Sequence, residues 1–280
     1  MSTDIPSSAR TLADRIGRLS SATVDKPVLV YFDIIGICWP IRCLLHLKGV
    51  DYELIKVPFL EAWLYRSPDG KRPVADQFRN GHLPLYVDSD VYLTQSTVIL
   101  NHLGEQYDLV GDGPAEKLAV MDVIAHAYDA LFHWAGMLQV NLKINTPDDV
   151  VESRLQAFLG NGAWGIVTDG YQRHLDGFER YLDANTNGNS GYMVGSRLSV
   201  ADLHAFNVLC NWYKAFERAR FVAQYPRLDE YIHRIAAIPL VDDYRRNHQE
   251  RTTWFPLPQL ALRLTTPEEL AGLTGESAGS

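Results

Sequence analysis

Cysteine is scarce in this chain: there are three in 280 residues, Cys38, Cys43 and Cys210. The number is odd and no pair is spaced C-x-x-C. A disulfide framework or a structural zinc site is therefore not expected, and a reducing, cytoplasmic compartment fits best. Basic runs are missing as well. The formal net charge is −8, which makes the protein a poor partner for a nucleic-acid backbone. No stretch of about 20 residues is apolar enough to span a bilayer. Residues 1–26 lack the apolar centre of a secretory signal, and Asp4, Asp14 and Asp25 speak against a transit peptide. They read as an extension carrying one short helix around Ala9–Leu19. No Gly-x-Gly-x-x-Gly is present, so a dinucleotide fold is not indicated. The nine histidines contain no His-x-x-x-His pair, and no metal is expected.

What is present is an ordinary globular composition, 46% hydrophobic and 21% charged, enough for one large domain or two small ones. Residues 27–109 alternate in element type. "VLVYF" is rich in strand formers. "WPIRCLLHLKG" reads as a helix with Pro40 in its first turn and Gly49 at its C-terminal cap. "DYELIKV" alternates like a strand. "LPLYVDSDVYLT" reads as a hairpin turning at Ser89-Asp90, and "QSTVILNHLGEQYDL" carries helical spacing. "VGDGPAE" is a glycine- and proline-rich boundary. Residues 114–247 then read as helices. One runs from about Pro114 to Val140, and another from about Val150 to Asn185 with a break near Gly160–Gly165. A third opens at Ser199 and Asp202, spaced as a capping box in which the hydroxyl caps an early N–H and the carboxylate reaches back. Residues 248–280 form a tail rich in proline and threonine.

Three segments, "YFDIIGICWPIRCLL", "HLPLYVDSDVYLTQSTVIL" and "LSVADL", occur in this order and resemble the glutathione transferase family, most of all its tyrosine classes (mu, alpha and sigma). The resemblance covers about Val28–Asn247. It implies a thioredoxin-like α/β domain followed by an all-α helical bundle, a cytoplasmic homodimer, and glutathione as substrate or cofactor without a metal. It also implies site residues. Tyr31, ending the first strand eleven residues before a structural arginine at Arg42, would be the catalytic tyrosine. Leu83-Pro84 matches the family's cis-proline, with the backbone of Leu83 facing the ligand. Gln95 and Ser96 would hold the γ-glutamyl end of glutathione, as suits a carboxylate at a helix N-terminus. Asp122 would come from the partner subunit, with Asp129 as its substitute. Trp63, Lys71 and Arg72 are candidates for the glycine carboxylate, Arg72 standing out by its distance from Pro84. Ile37, Tyr128 and Phe132 would line the pocket for a small-molecule electrophile; Trp212, Tyr213 and Phe216 read as pocket or as core, and the tail's Trp254 and Phe255 would fold over the pocket.

The sequence also departs from that pattern. The cysteine-type relatives put their nucleophile at the position of Ile37, so Cys38, one residue off, reads as a packed thiol. Ile35 and Ile37 stand where arginines are common, and the segment Phe59–His82 does not align cleanly. Two other readings therefore stay open: an isomerase, lyase or cyclase of a pathway that returns glutathione or does without it, and a non-catalytic ligand-binding or dimerisation protein on the same fold.

Overall fold

The structure, a computed structural model, describes residues 7–21, 23–67, 69–139, 170–185, 190–215 and 218–247. The expectations for Gly160–Gly165, Phe216 and the tail with Trp254 and Phe255 lie outside these residues, as do the side chains of Trp212 and Tyr213.

A leading helix, α1 (Ser7–Arg18), precedes the sheet. Its Ala9, Ala13 and Ile16 are buried, and they pack the helix onto the turns at Phe59–Trp63 and Ala75–Gln77. Four short strands follow, β1 (Val28–Tyr31), β2 (Glu53–Lys56), β3 (Leu85–Val87) and β4 (Tyr92–Thr94), in the spatial order β2-β1-β3-β4. β1 and β2 are parallel, joined by helix α2 (Trp39–Leu47); the other pairs are antiparallel. β1 is buried along its whole length, which explains its continuous apolar run rather than an alternating one. The β3–β4 hairpin turns where expected. The Asp88 carboxylate accepts the N–H groups of Asp90 and Val91, both at 2.9 Å, and so builds the turn from its own side chain. Gly49 adopts φ +62 just beyond α2, the left-handed residue that ends a helix. Helix α3 (Ser96–Gln106) completes this half.

The described residues of the second half are mainly helical: α4 (Gly113–Gln139), α5 (Gly170–Ala184), α6 (Val200–Ala215), α7 (Arg218–Gln224), α8 (Pro226–Ala236) and α9 (Pro239–Asn247). The architecture is the expected thioredoxin-like sheet and helical bundle. α6 is central, packed on α4, α8 and α2. At its start the capping box differs from expectation in one limb. The Asp202 carboxylate does reach back to the Ser199 N–H at 2.9 Å, but the Ser199 hydroxyl donates to that same carboxylate, also at 2.9 Å. Asp202 also accepts from the Met193 N–H at 2.8 Å and the Tyr231 hydroxyl at 3.2 Å. Burial still pushes its carboxyl up to about 6. The shorter aspartate therefore works as a buried hub rather than as a surface cap.

The halves meet along α2. Trp39 packs on Phe206 of α6 and Tyr244 of α9, with ring centroids 5.6 and 5.8 Å apart. His46 contacts Asp243 at 2.8 Å. Among the described residues no group of three or more metal-binding side chains gathers, and no helix is long and apolar enough to cross a membrane.

Candidate functional site

The sheet register gathers the sequence motifs at one end. Val30 pairs with Leu85, and Leu85 pairs with Thr94. One residue further along, Tyr31, Pro84 and Gln95 lie in a row where β1 ends, β3 begins and β4 ends. The Leu83-Pro84 bond is cis, and Leu83 stands outside the β3 ladder.

Tyr31 is 5% exposed. Its hydroxyl oxygen accepts the backbone N–H of Ile37 at 3.3 Å. Burial, followed by the neighbouring Cys38, drives its pKa well above the ordinary phenol value, while the Ile37 N–H and Arg42 pull the other way. The phenol is therefore a neutral O–H donor across the physiological range. The turn that carries Ile37 is fixed by two devices. Arg42, 2% exposed, donates to the carbonyls of Ile34 and Ile35, the latter at 3.0 Å. Gly36 takes φ +48, and a Cβ on it would lie 2.4 Å from the Tyr31 oxygen. Only glycine fits there, on both counts. Asn207 of α6 then donates to the Gly36 carbonyl at 3.2 Å. Cys38 is fully buried as the N-cap residue of α2, in keeping with a packed thiol.

At the start of α3, Gln95 holds φ 91, a conformation that costs a non-glycine residue about 1–3 kcal/mol. The helix has no side-chain cap, and its first residue, Ser96, is 4% exposed with a hydroxyl that finds no partner. An uncapped helix N-terminus with a buried, unsatisfied hydroxyl can receive an anion.

The segment Phe59–His82 folds into a π-turn (Phe59–Trp63) and a 3-10 turn (Ala75–Gln77) held by aromatic packing. Trp63 sits edge-on to Phe32 and Phe78, with centroids 5.4 and 5.6 Å away. Phe78, 4% exposed, is core in this chain. The Arg72 guanidinium lies over the Trp63 ring at 5.2 Å, whereas exposed Lys71 pairs with Asp69 at 2.9 Å. Stacking leaves the edge of the Arg72 fork presentable to a carboxylate, and Lys71 is already neutralised.

On α4, Tyr128 and Phe132 stack with centroids 4.7 Å apart, and Phe132 is 55% exposed. Tyr128 lies close enough to Tyr31 to oppose its ionisation. A cleft of about 400 Å³ opens between α3 and α4, lined by Thr97, Val98, Asn101, Met121, Tyr128 and Asp129. Asp122 does not line it; its carboxylate accepts the Tyr181 hydroxyl of α5 at 2.8 Å. Of the two α4 carboxylates, Asp129 is the one beside the start of α3. Sequence reasoning passed over Gly36 and Asn207. A glycine before an apolar helix is a faint signal for the first, and none marks the second.

Comparisons with known proteins bear on the family and the fold. The family model described as glutathione S-transferase, N-terminal domain, matches residues 27–105, and that for the C-terminal domain matches residues 165–248. A glutathione S-transferase of Dermatophagoides pteronyssinus is 26% identical over 236 residues, covering 82% of this chain and 94% of its own. Glutathione S-transferase P 1 of Xenopus laevis is 28% identical over 221 residues, covering 79% and 92%. The solved pi-class glutathione S-transferase of Onchocerca volvulus superposes with a TM-score of 0.64 at 21% identity, over 82% of this chain and 97% of its own.

Proposed function

This chain belongs to the glutathione S-transferase family, and from that premise we propose that it is a glutathione-dependent transferase of tyrosine type, with Tyr31 as its catalytic residue. Glutathione lies on the domain of residues 27–109. Its γ-glutamyl carboxylate sits on the free N–H groups and hydroxyl at Ser96, and its backbone pairs with Leu83 beside Pro84. Its glycine carboxylate meets Arg72. The observation that carries the reading is the orphaned Ser96 hydroxyl at an uncapped helix, held there by the strained Gln95, in the same row as Tyr31.

A thiol attacks only as its thiolate. The neutral Tyr31 O–H donates a hydrogen bond to the sulfur anion, which stabilises it while the proton leaves to solvent. The sulfur lone pair then forms a bond to an electrophilic carbon of an apolar substrate held between Ile37 of the first domain and Tyr128 and Phe132 of residues 114–247. The electron pair leaves with the displaced group or is taken up across the activated double bond. The enzyme supplies position and a fixed donor and forms no covalent intermediate. Val98, Leu118 and Met121 on α3 and α4 are 49%, 67% and 51% exposed, an apolar face that supports a homodimer. A carboxylate from the partner subunit's α4 then completes the γ-glutamyl site, and the cleft position favours Asp129 over Asp122 for that role. Three cysteines, none of them in a disulfide, suit a reducing cytoplasm. The test is conjugation of glutathione to a model electrophile such as 1-chloro-2,4-dinitrobenzene. Tyr31→Phe loses most of the activity while retaining glutathione binding; full activity in that variant would remove the assigned role.

A further inference from the structure

The peptide group that donates to Tyr31 is contacted from the other half of the molecule. The Ile37 N–H and the Gly36 carbonyl are the two ends of a single peptide group. The N–H donates to the Tyr31 oxygen at 3.3 Å, and the carbonyl accepts from Nδ2 of Asn207 at 3.2 Å. Asn207 is 4% exposed in the middle of α6, so its geometry is set by core packing rather than by solvent. We propose that Asn207 is a positioning residue that sets the acidity of the bound glutathione thiol through the Gly36–Ile37 peptide and the Tyr31 hydroxyl. This rests on Tyr31 being the donor to the thiolate.

Two effects run along this path. The first is orientation. Gly36 has no Cβ and its φ is +48, so the peptide that follows it turns more freely than any other in the segment. A donor on its carbonyl holds the N–H toward Tyr31. The second is polarisation. A carbonyl that accepts a hydrogen bond makes its own N–H a stronger donor, and a phenol oxygen that accepts a stronger bond gives up its own proton more readily to a bond with sulfur. The ionisable groups that bear on Tyr31 are Cys38 and Arg42 from its own segment and α2, and Tyr128 from α4. Arg42 is engaged with the carbonyls of Ile34 and Ile35, and isoleucines occupy positions 35 and 37. The Ile37 N–H is thus the direct donor that the turn offers to the hydroxyl, and Asn207 is the group that aims it.

The test compares wild type, Asn207→Leu, Asn207→Ala and Tyr31→Phe in the full-length protein. The ultraviolet band of the glutathione thiolate is titrated against pH, and kcat/KM is measured across the same range. Binding of S-methylglutathione, which has no ionisable thiol, is measured alongside. The leucine replaces the amide at equal size; the alanine adds no bulk and serves if the leucine does not fold. Both asparagine variants are expected to hold about three- to tenfold less thiolate near neutral pH. They should lose kcat/KM by the same factor there, regain wild-type kcat/KM at alkaline pH, and bind S-methylglutathione as wild type does. A thiol titration unchanged in both variants, with Tyr31→Phe shifted, overturns the link through Asn207. So does a loss of kcat/KM that is equal at every pH, which marks a packing role only. A thiolate band that survives intact in Tyr31→Phe removes the premise itself, and the inference with it.

Discussion

Gly36→Ala is the sharpest perturbation of the site that leaves every polar group in place. The new methyl carbon would lie 2.4 Å from the Tyr31 oxygen, 3.1 Å from Cε1 and 3.2 Å from Cζ. The obstacle is a rigid ring rather than a flexible chain end, so the hydroxyl has to retreat by about 1 Å, a displacement that costs on the order of 100-fold in rate. The alanine must also hold φ +48, at about 1–2 kcal/mol, and overpacking adds about 1–3 kcal/mol. A fall in melting temperature on the order of 10 °C follows. Gly49→Ala is the control. It imposes a similar strain, at φ +62, with no atom within 4 Å. It is expected to lose only a few degrees and no activity. The assay is kcat/KM with a model electrophile beside the dissociation constant for glutathione. Gly36→Ala should lose the former and keep the latter, because Leu83, Ser96 and Arg72 are untouched. Activity in Gly36→Ala within about threefold of Gly49→Ala would show that the position of the Tyr31 oxygen is not what the turn protects.

Other perturbations separate the parts of the site. Arg72→Ala should raise the KM for glutathione about tenfold and leave that for γ-glutamylcysteine, which lacks the glycine carboxylate, unchanged; equal effects on both would place the glycine end elsewhere. Asp129→Asn should weaken glutathione binding several-fold, whereas Asp122→Asn should cost only its exposed bond from Tyr181, about 1 kcal/mol or less of stability; the reverse pattern would restore Asp122 to the site. The carboxyl of Asp202, raised by burial to about 6, contributes stability that is fully present below about pH 4 and lost as the pH rises through 6. Urea unfolding of wild type against Asp202→Asn should therefore show the difference shifting against wild type by about 2 kcal/mol between pH 4 and pH 7, and a constant difference would refute the shift.

Much of the fold was legible because it is local. The βαβ order, the Asp88 turn, the left-handed Gly49 and the reach of Asp202 to Ser199 all follow from neighbours a few residues apart, where spacing and residue type carry the signal. The candidate site was read from short motifs, Tyr31, Leu83-Pro84 and Gln95-Ser96, and the sheet register brings Tyr31, Pro84 and Gln95 into one row. It was not legible where the deciding contact is distant or where two candidates share a face. Asn207 meets Gly36 across 171 residues, and no periodicity reports such a contact. Asp122 and Asp129 are seven residues apart on one helix, nearly the same face, so only packing against α3 and α5 tells them apart. Lys71 and Arg72 are adjacent cations, separated only by Asp69 pairing with one and Trp63 stacking under the other. The Ser199 hydroxyl was read as a backbone cap because the motif suggests it, but the buried carboxylate beside it is the stronger acceptor.

The central claim is that the neutral Tyr31 hydroxyl lowers the pKa of the bound thiol. The measurement that tests it most directly is the ultraviolet difference spectrum of bound glutathione against pH, wild type beside Tyr31→Phe. A thiolate band near neutral pH in the wild type, displaced to alkaline pH in the variant, is the predicted result. Glutathione that binds with the same thiolate titration in both proteins, or binds wild type with no band near neutrality, would contradict it.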